Sequence, residues 1–512
     1  MDRKRILAIV IIISGLLFIY VDYFYLRLLG VGNQIVLALA YMIASGLYIK
    51  KLINTEGYYG MYLVKTERGI RAIYRIAKRY KKIWIILSIW GLSLSFGLLS
   101  LILVRKIKDL KLSKYIVAFI GIIMIPIVFI LFEAFGPYPL EFIKLFSVNT
   151  NLNLPNFPDL QLYISSLTLT GYILIAIDTI TGFSGFILSL LFYNAYTILS
   201  SLFNLGISFI TEQLLIVFAS YAKISIIQAS SIIAPSVSVV KNQIPGVSPI
   251  IPGLNLPLIA GIIALAIILY VHELSHGILS AGYKAKIKSV GVVMFGALPV
   301  GAFVEPEDKQ LKELDDYKKT NVFVAGVSFN FLTALIALIL FIPLLYYANS
   351  SIFESGFVIV STVKGYPAYG VIPNGSVIER WNGINITNIS TLNEAARLDS
   401  ISNISVINTS NGNFTLHLNE YNKSNHLLGI RVELMYIVKP GLSHSILYFL
   451  YRLTGLIFLL SFLVATTNLL PIPGFDGWQI YKTNIKSRLI MNLIVAIMLI
   501  GIMLNIVPYL FK

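Results

Sequence analysis

Long uncharged apolar runs dominate this chain, and they recur at the length a helix needs to cross a bilayer, about 20 residues. Such runs cover Ile83–Val104, Tyr115–Phe132, Asn242–Val271, Asn321–Phe353, Leu453–Phe475 and Leu489–Phe511. Ile6–Val21 and Val31–Ile49 are shorter and read as a hairpin of two helices. Leu160–Ala222 is apolar enough for two or three crossings, with Gly182 and Gly185 as candidate breaks. The pattern predicts ten or eleven spans in all. Arg3, Lys4 and Arg5 precede the first apolar run, but no small-residue cleavage site follows, so a cleaved signal is not expected.

One stretch breaks the pattern. From Glu354 to Lys439 the chain turns polar and alternating, and it is long enough for one small domain. Phe357–Val363 reads as a strand, Lys364–Ala368 as a turn and Ser376–Trp381 as a second strand. Asn382-Gly383 is a two-residue hairpin signal. Thr391–Asp399 reads as a short helix, and two further strands follow. Gly365-Tyr366-Pro367-Ala368-Tyr369-Gly370, Asn374-Gly375-Ser376-Val377-Ile378 and Asn382-Gly383 resemble the corresponding segments of a PDZ domain. A PDZ domain takes peptides as an added strand on an open sheet edge, so the resemblance implies peptide ends as partners. The expected fold class is therefore a polytopic α-helical membrane protein of about 10–11 spans with an inserted small PDZ-like β-rich domain.

Composition agrees with that class. Hydrophobic residues make up 57% of the chain and charged residues 12%, against about 25% charge in a soluble domain. A soluble enzyme, a disordered chain and a nucleic-acid-binding module are excluded, and no nucleic acid is expected as a partner. The net charge of +16 is assigned to loops facing anionic lipid on the inner side. Lys50–Lys82 alone holds ten Lys or Arg and two Glu. Its second half, Arg68–Lys82, reads either as a basic amphipathic helix on the inner membrane face or as a solvated helical face. Arg105–Lys114 is basic as well. Both flanks of the Ile83–Val104 span are thus positive, and its orientation stays open. Asn-x-Ser/Thr acceptors occur at Asn349, Asn374, Asn385, Asn388, Asn403, Asn408, Asn413 and Asn422, and nowhere else. Their crowding reads as an outward, glycan-bearing domain, or as plain Asn/Ser richness in the one polar segment.

With no cysteine, any metal site must use His, Asp or Glu. The compact motif is His272-Glu273-Leu274-Ser275-His276, at the far end of the Asn242–Val271 run. Residues four apart lie close on one helix face, so both imidazoles can reach one ion, with Glu273 beside them. Ionisable groups inside a membrane are costly and functional by default; the competing reading is a buried polar cluster or a heme- or metal-storage helix. A catalytic zinc typically has three protein ligands. Candidates for the third are His417, His426, His444 and the carboxylates. The first two fall in the outer domain, and His444 opens the next span on the outer side. Counting crossings instead brings Asp476, just past the Leu453–Phe475 span, to the depth of His272.

His272-Glu273-x-x-His276 together with Asn468-x-x-Pro471-x-x-x-Phe475-Asp476-Gly477 resembles the site-2 protease family of intramembrane zinc metalloproteases. Phe475 stands where the family's second motif usually has Leu. Gly326-Val327-Ser328-Phe329-Asn330 is similar to the family's Gly-x-x-x-Asn, and Gly282 to Pro306 to its membrane-associated β-hairpin. The resemblance covers roughly Leu254 to Phe511 and implies regulated intramembrane proteolysis. It implies Zn2+ on His272, His276 and Asp476, Glu273 as the proton-transferring base, and Asn330 and Asn468 at the substrate backbone or oxyanion. Helix–helix hydrogen bonding is the alternative for the two Asn. The implied substrates are single-pass membrane proteins, such as a tethered transcription regulator. The hairpin near Val290–Val304 would clamp an unwound substrate as an added strand, or be a buried structural element. The expected domains are an N-terminal transmembrane bundle (1–240) of unassigned role, a catalytic core in two parts (241–353 and 440–512) and the PDZ-like domain (354–439). The expected location is the cell membrane, multi-pass, with the PDZ-like domain extracytoplasmic and the active site towards the cytoplasm. Two other classes stay open: a membrane zinc protease of another lineage with a Glu ligand, and a non-enzymatic PDZ-bearing adaptor or transporter.

Overall fold

A computed structural model describes residues 9–15, 17–18, 31–108, 110–134, 169–222, 256–347, 353–399, 404–418, 428–439 and 441–508, with a few isolated positions besides. Parts of the predicted Ile6–Val21 span, the first parts of Leu160–Ala222 and Asn242–Val271, the acceptors Asn349, Asn403 and Asn422, and His426 lie outside the described residues.

The helices are α1 (Val31–Ile53), α2 (Ile70–Phe96), α3 (Ser100–Lys106), α4 (Ser113–Ala134), α5 (Leu169–Ala222), α6 (Leu258–Gly282), α7 (Asp308–Glu313), α8 (Asp316–Tyr347), α9 (Ile389–Asp399), α10 (Leu442–Thr467), α11 (Asp476–Asn484) and α12 (Arg488–Ile506). The strands are β1 (Met61–Thr66), β2 (Ile287–Phe295), β3 (Leu298–Pro306), β4 (Phe353–Thr362), β5 (Ser376–Trp381), β6 (Ile384–Asn385), β7 (Ile404–Thr409), β8 (Gly412–His417) and β9 (Ile430–Val438). Among the described residues, six helical stretches are long and apolar enough to cross a membrane: Ile70–Lys106, Ile175–Phe203, Leu258–Gly282, Asp316–Tyr347, Leu442–Thr467 and Arg488–Ile506. The protein is a multi-pass membrane protein with β-sheet regions.

The chain forms two compact units. The first comprises Met1–Val148, Leu152–Ala337 and Gly455–Lys512, and the second Asn149–Asn151 and Leu338–Thr454. In the first unit the central helix is the one carrying Ile83–Val104. Two thirds of its apolar window is inside the protein, against less than half for every other span, which leaves their outer faces to lipid. Small residues make this close packing possible, as in other helix bundles in lipid. Gly91 lies directly against Ser328 of α8, and Gly121 of α4 against Trp90 and Ser93 of α2. The buried hydroxyls of Ser88, Ser93 and Ser95 bond back to the carbonyls of Ile85, Ile89 and Gly91, so these three are satisfied within the helix. Trp84 of α2 stacks on Phe329 of α8 at 4.0 Å.

The basic segment before this span does form a helix, and the chain leaves helical geometry at Tyr80 (φ −119°, ψ 18°). Its apolar face is already occupied: Ile73 and Ala77 are buried with Ile278 of α6 and Ile287 of β2. Tyr74 accepts a hydrogen bond from the backbone N–H of Ile287 at 2.9 Å. The cationic side chains Arg71, Arg75, Lys78, Arg79 and Lys82 stay exposed.

The hairpin expected near Val290–Val304 is present and covers 287–306, with Gly296 at φ 56° in its two-residue turn. It belongs to a three-stranded sheet ordered β1-β2-β3. Sequence reading missed β1, which lies in the middle of the basic loop and pairs Met61–Thr66 antiparallel to Val290–Phe295. Lys65 of β1, Ser289 of β2 and Glu305 of β3 meet across the sheet, with Glu305 accepting from both.

In the second unit the strands run β8-β7-β5-β4-β9, with β6 paired to β5 and α9 as the one short helix of the sheet domain among the described residues. Phe357, Ile359, Ile378, Trp381, Ile407 and Leu416 form its core. Asn382 (φ 47°) and Gly383 (φ 82°) make the expected two-residue turn, and Trp381 pairs with Ile384 across it. Asn382 also receives the N–H of Val406 and donates to Asp399, tying the turn to β7 and α9.

The long helix α5 breaks at Gly182 (φ 70°, ψ −168°), one of the two glycines predicted to interrupt it. Gly182 packs on Gly97, itself at φ 52°, where α2 gives way to a turn of 3-10 helix. A Cβ on Gly182 would lie 2.5 Å from the backbone nitrogens of Phe96 and Gly97. Gly182→Ala is therefore expected to destabilise the bundle by about 1–3 kcal/mol from the backbone conformation alone, read as a lowered melting temperature in detergent. Unchanged melting would show that the two helix breaks are not locked together.

Candidate metal centre

Each chemically important side chain is delivered by a separate local device. His272 and His276 lie one turn apart on α6, ten and six residues from its C-terminal end, so the pair sits roughly 9–15 Å inside that end. Glu273 is half-buried on the same turn. Asp476 comes from the segment after α10. Pro471 and Pro473 cannot continue a helix, and Gly474 at φ 101° turns the chain back. The N–H of Gly477 then bonds to the carbonyl of Asn468 at 2.6 Å. Asp476 is thereby set at the first turn of α11, within the same unit as α6.

The three side chains converge. His272 Nε2 lies 3.2 Å from Asp476 Oδ2, His276 Nε2 3.3 Å from Asp476 Oδ1, and the two Nε2 atoms are 3.3 Å apart. The imidazoles stand nearly perpendicular at 77°. Among the described residues, this is the group of His and carboxylate side chains able to hold a metal ion. Its donor set fits zinc. Ligand bonds of about 2.0–2.1 Å in a tetrahedron put donor atoms about 3.3–3.4 Å apart, as found here. Asp476 Oδ2 is buried and has no well-aligned hydrogen bond, as expected of an oxygen shaped to face a cation.

Helix α8 closes the other side. Gly326 faces the rings so closely that a Cβ there would lie 2.4 Å from His276 Nε2 and 2.6 Å from His272 Nε2. One turn before it, the carbonyl of Val322 is 2.7 Å from His276 Nδ1. One turn after it, Asn330 is fully buried with Nδ2 3.0 Å from His272 Nδ1. Asn468 is placed differently: its amide donates to the carbonyl of Val464 on its own helix at 3.0 Å. His417 lies on β8 and His444 in the first turn of α10, both in the second unit, and neither belongs to the histidine–aspartate group. Sequence reading did not foresee Val322, because a backbone carbonyl leaves no residue-type signal.

Helices long and apolar enough to span a membrane thus surround a His-His-carboxylate group able to hold a metal ion. Residues 260–508 match the model of Peptidase family M50, the site-2 protease family of zinc metalloproteases. The uncharacterized protein MJ0971 of Methanocaldococcus jannaschii is 30% identical over 236 residues, which is 46% of this chain and 60% of that protein. The chain thus spans less than two thirds of that relative's length.

The glycine notch gives a direct test of the geometry. Gly326→Ala is expected to push the two rings apart and to lower metal occupancy at least tenfold, measured by elemental analysis of the purified protein. The overall helix content should stay unchanged. Full occupancy in this variant would mean that the rings do not meet against α8.

Proposed function

We propose that the protein is an intramembrane zinc metalloprotease that hydrolyses peptide bonds within transmembrane helices of membrane-anchored substrates. The observation that carries this reading is the convergence of His272, His276 and Asp476 to mutual distances of 3.2–3.3 Å beside Glu273. His272, His276 and Asp476 would hold the zinc ion. The metal supplies Lewis acidity for the scissile carbonyl and for the attacking water. Glu273 accepts a proton as water adds to the carbonyl carbon, and returns it to the amine as the C–N bond breaks. The side chains of His272, His276 and Asp476 are only 8–14% exposed, so each charge in the site acts in a medium that screens it less than bulk water does.

A helical substrate hides its peptide bonds, so it must unwind to be cut. Strand β3 offers a place to hold an unwound segment. It is an outer strand of its sheet, whereas the far edge of β2 is taken by β1. It also runs beside α6, with Val304 against Gly277. A substrate segment paired to β3 would lie next to the helix that bears Glu273. Single-pass proteins whose inner fragment leaves the membrane after the cut, such as a tethered transcription regulator, suit a site placed 9–15 Å from a helix end.

In this reading the domain 354–439 is PDZ-like and extracytoplasmic. Its support is the hairpin at Asn382-Gly383, the short helix α9, and the outer position of β9, which leaves an edge for a peptide end. Four of the glycan acceptors, Asn374, Asn385, Asn388 and Asn413, are exposed. The domain would screen substrates by the size or the trimmed end of their outer segment.

Two experiments test these roles. His272→Ala, His276→Ala and Asp476→Ala should each lose zinc and activity, whereas Glu273→Gln should keep about one zinc per chain and lose proteolysis of a model transmembrane substrate. Zinc loss in Glu273→Gln, or full zinc in Asp476→Ala, would contradict the assignment. For sidedness, protease added to intact cells should cut within 354–439 and spare the connections Gly282–Thr320 and Gly477–Arg488. Protection of the domain with cleavage of those connections would reverse the orientation.

A further inference from the structure

The face of α8 that meets the histidine pair is made of residues four apart: Val322, Gly326 and Asn330. Helices α6 and α8 pass each other in opposite directions here, so Val322 serves His276 and Asn330 serves His272. The carbonyl of Val322 can only accept, so His276 carries a proton on Nδ1 and a neutral ring presents a bare lone pair on Nε2. His272 has its own Nε2 aimed at the same point, 3.3 Å from that of His276 and 3.2 Å from Asp476 Oδ2. To ligate there it needs the same tautomer, and hence an acceptor at Nδ1.

Asn330 is the only described side chain bonded to that nitrogen, through Nδ2, while its Oδ1 is buried without a partner. The nitrogen and oxygen ends of a carboxamide have nearly the same shape, so either can face the ring. Nδ2 towards Nδ1 forces the neutral ring to carry its proton on Nε2, where a cation would sit. Turning the amide gives the orphaned Oδ1 a donor, the Nδ1–H of His272, and frees Nε2. We propose that Asn330 is a positioning residue: its Oδ1 accepts from His272 Nδ1–H and holds the ring in the metal-ready tautomer, as Val322 does for His276. Gly-x-x-x-Asn then has one purpose in two parts, a gap for the rings and an acceptor one turn on. This role rests on the reading of His272, His276 and Asp476 as zinc ligands, and it differs from the substrate or oxyanion contact that the family resemblance implies for Asn330.

The test uses the full chain in detergent with wild type, Asn330→Asp, Asn330→Leu and His272→Ala. Zinc affinity is measured by chelator competition. The His272 tautomer is read from 15N NMR of metal-free, 15N-histidine-labelled protein at a pH where the ring is neutral. The chain has five His, so the His272 signal is assigned by its loss in His272→Ala. Asn330→Leu, with the same branching but without an acceptor, should weaken zinc about 10–100-fold and abolish the Nδ1–H form. Asn330→Asp, with an oxygen in the same place, should stay within a few-fold of wild type and keep that form. Wild-type affinity in Asn330→Leu overturns the proposal. So does an Nε2–H tautomer at His272 in the wild-type protein. Full zinc affinity in His272→Ala instead overturns the ligand reading beneath it, a separate failure.

Discussion

Everything near the site depends on how closely α6 can approach α8. The two imidazoles and a carboxylate meet in an apolar medium where an unpaired polar atom is costly. They can meet only because residue 326 has no side chain. A single methyl group there would overlap both Nε2 atoms. Hydrogen bonds then lie one turn above and below the notch, so the same helix face that makes room also fixes the rings. The carboxylate arrives from outside this helix pair, on a loop stiffened by two prolines and a Gly477–Asn468 backbone bond.

This close approach has to be maintained without help from water, and the N-terminal part of the chain contributes to it. The span at Ile83–Val104 packs against α8 through Gly91 and Trp84, on the residues Ser328 and Phe329 that lie between Gly326 and Asn330. The basic helix before it leans on the end of α6 and on β2, and β1 completes the sheet at the hairpin. Burying Ile73 and Ala77 against Ile278 and Ile287 contributes on the order of 25 cal/mol for each Å² of apolar surface covered. The cationic face of that helix remains free for a charged surface, while its apolar face is spent on protein rather than lipid. The first part of the chain is thus joined physically to the hairpin and the histidine helix.

Much of this was legible in the sequence, for physical reasons. A bilayer imposes a length and a polarity on every span, so Arg488–Ile506 announces itself, whereas the helix expected to end at Val271 runs on to Gly282 and carries the histidine pair inside it. Helical periodicity puts His272 and His276 on one face wherever the helix goes. Asn-Gly needs two left-handed residues and finds them in a tight turn, as at Asn382-Gly383. Gly182 breaks its helix because few other residues tolerate its backbone angles.

Other features are set only when distant segments meet. β1 is six residues inside a charged loop, and its strand pairing exists only because β2 offers an edge. The amphipathic helix at 70–80 carries the pattern of a lipid-binding helix, and only packing decides that its apolar side faces Ile278 and Ile287. Asn330 and Asn468 look alike in sequence, each polar in an apolar run. Tertiary structure sends one amide to His272 and the other back to its own helix at Val464. The sequence by itself determined the apolar character of the long helices, the histidine spacing and the tight turns, because those obey local chain geometry and the thickness of the bilayer. Which carbonyl, which glycine and which amide touch the histidines was decided by the crossing of α6 and α8, a contact between residues some fifty positions apart that no local rule encodes.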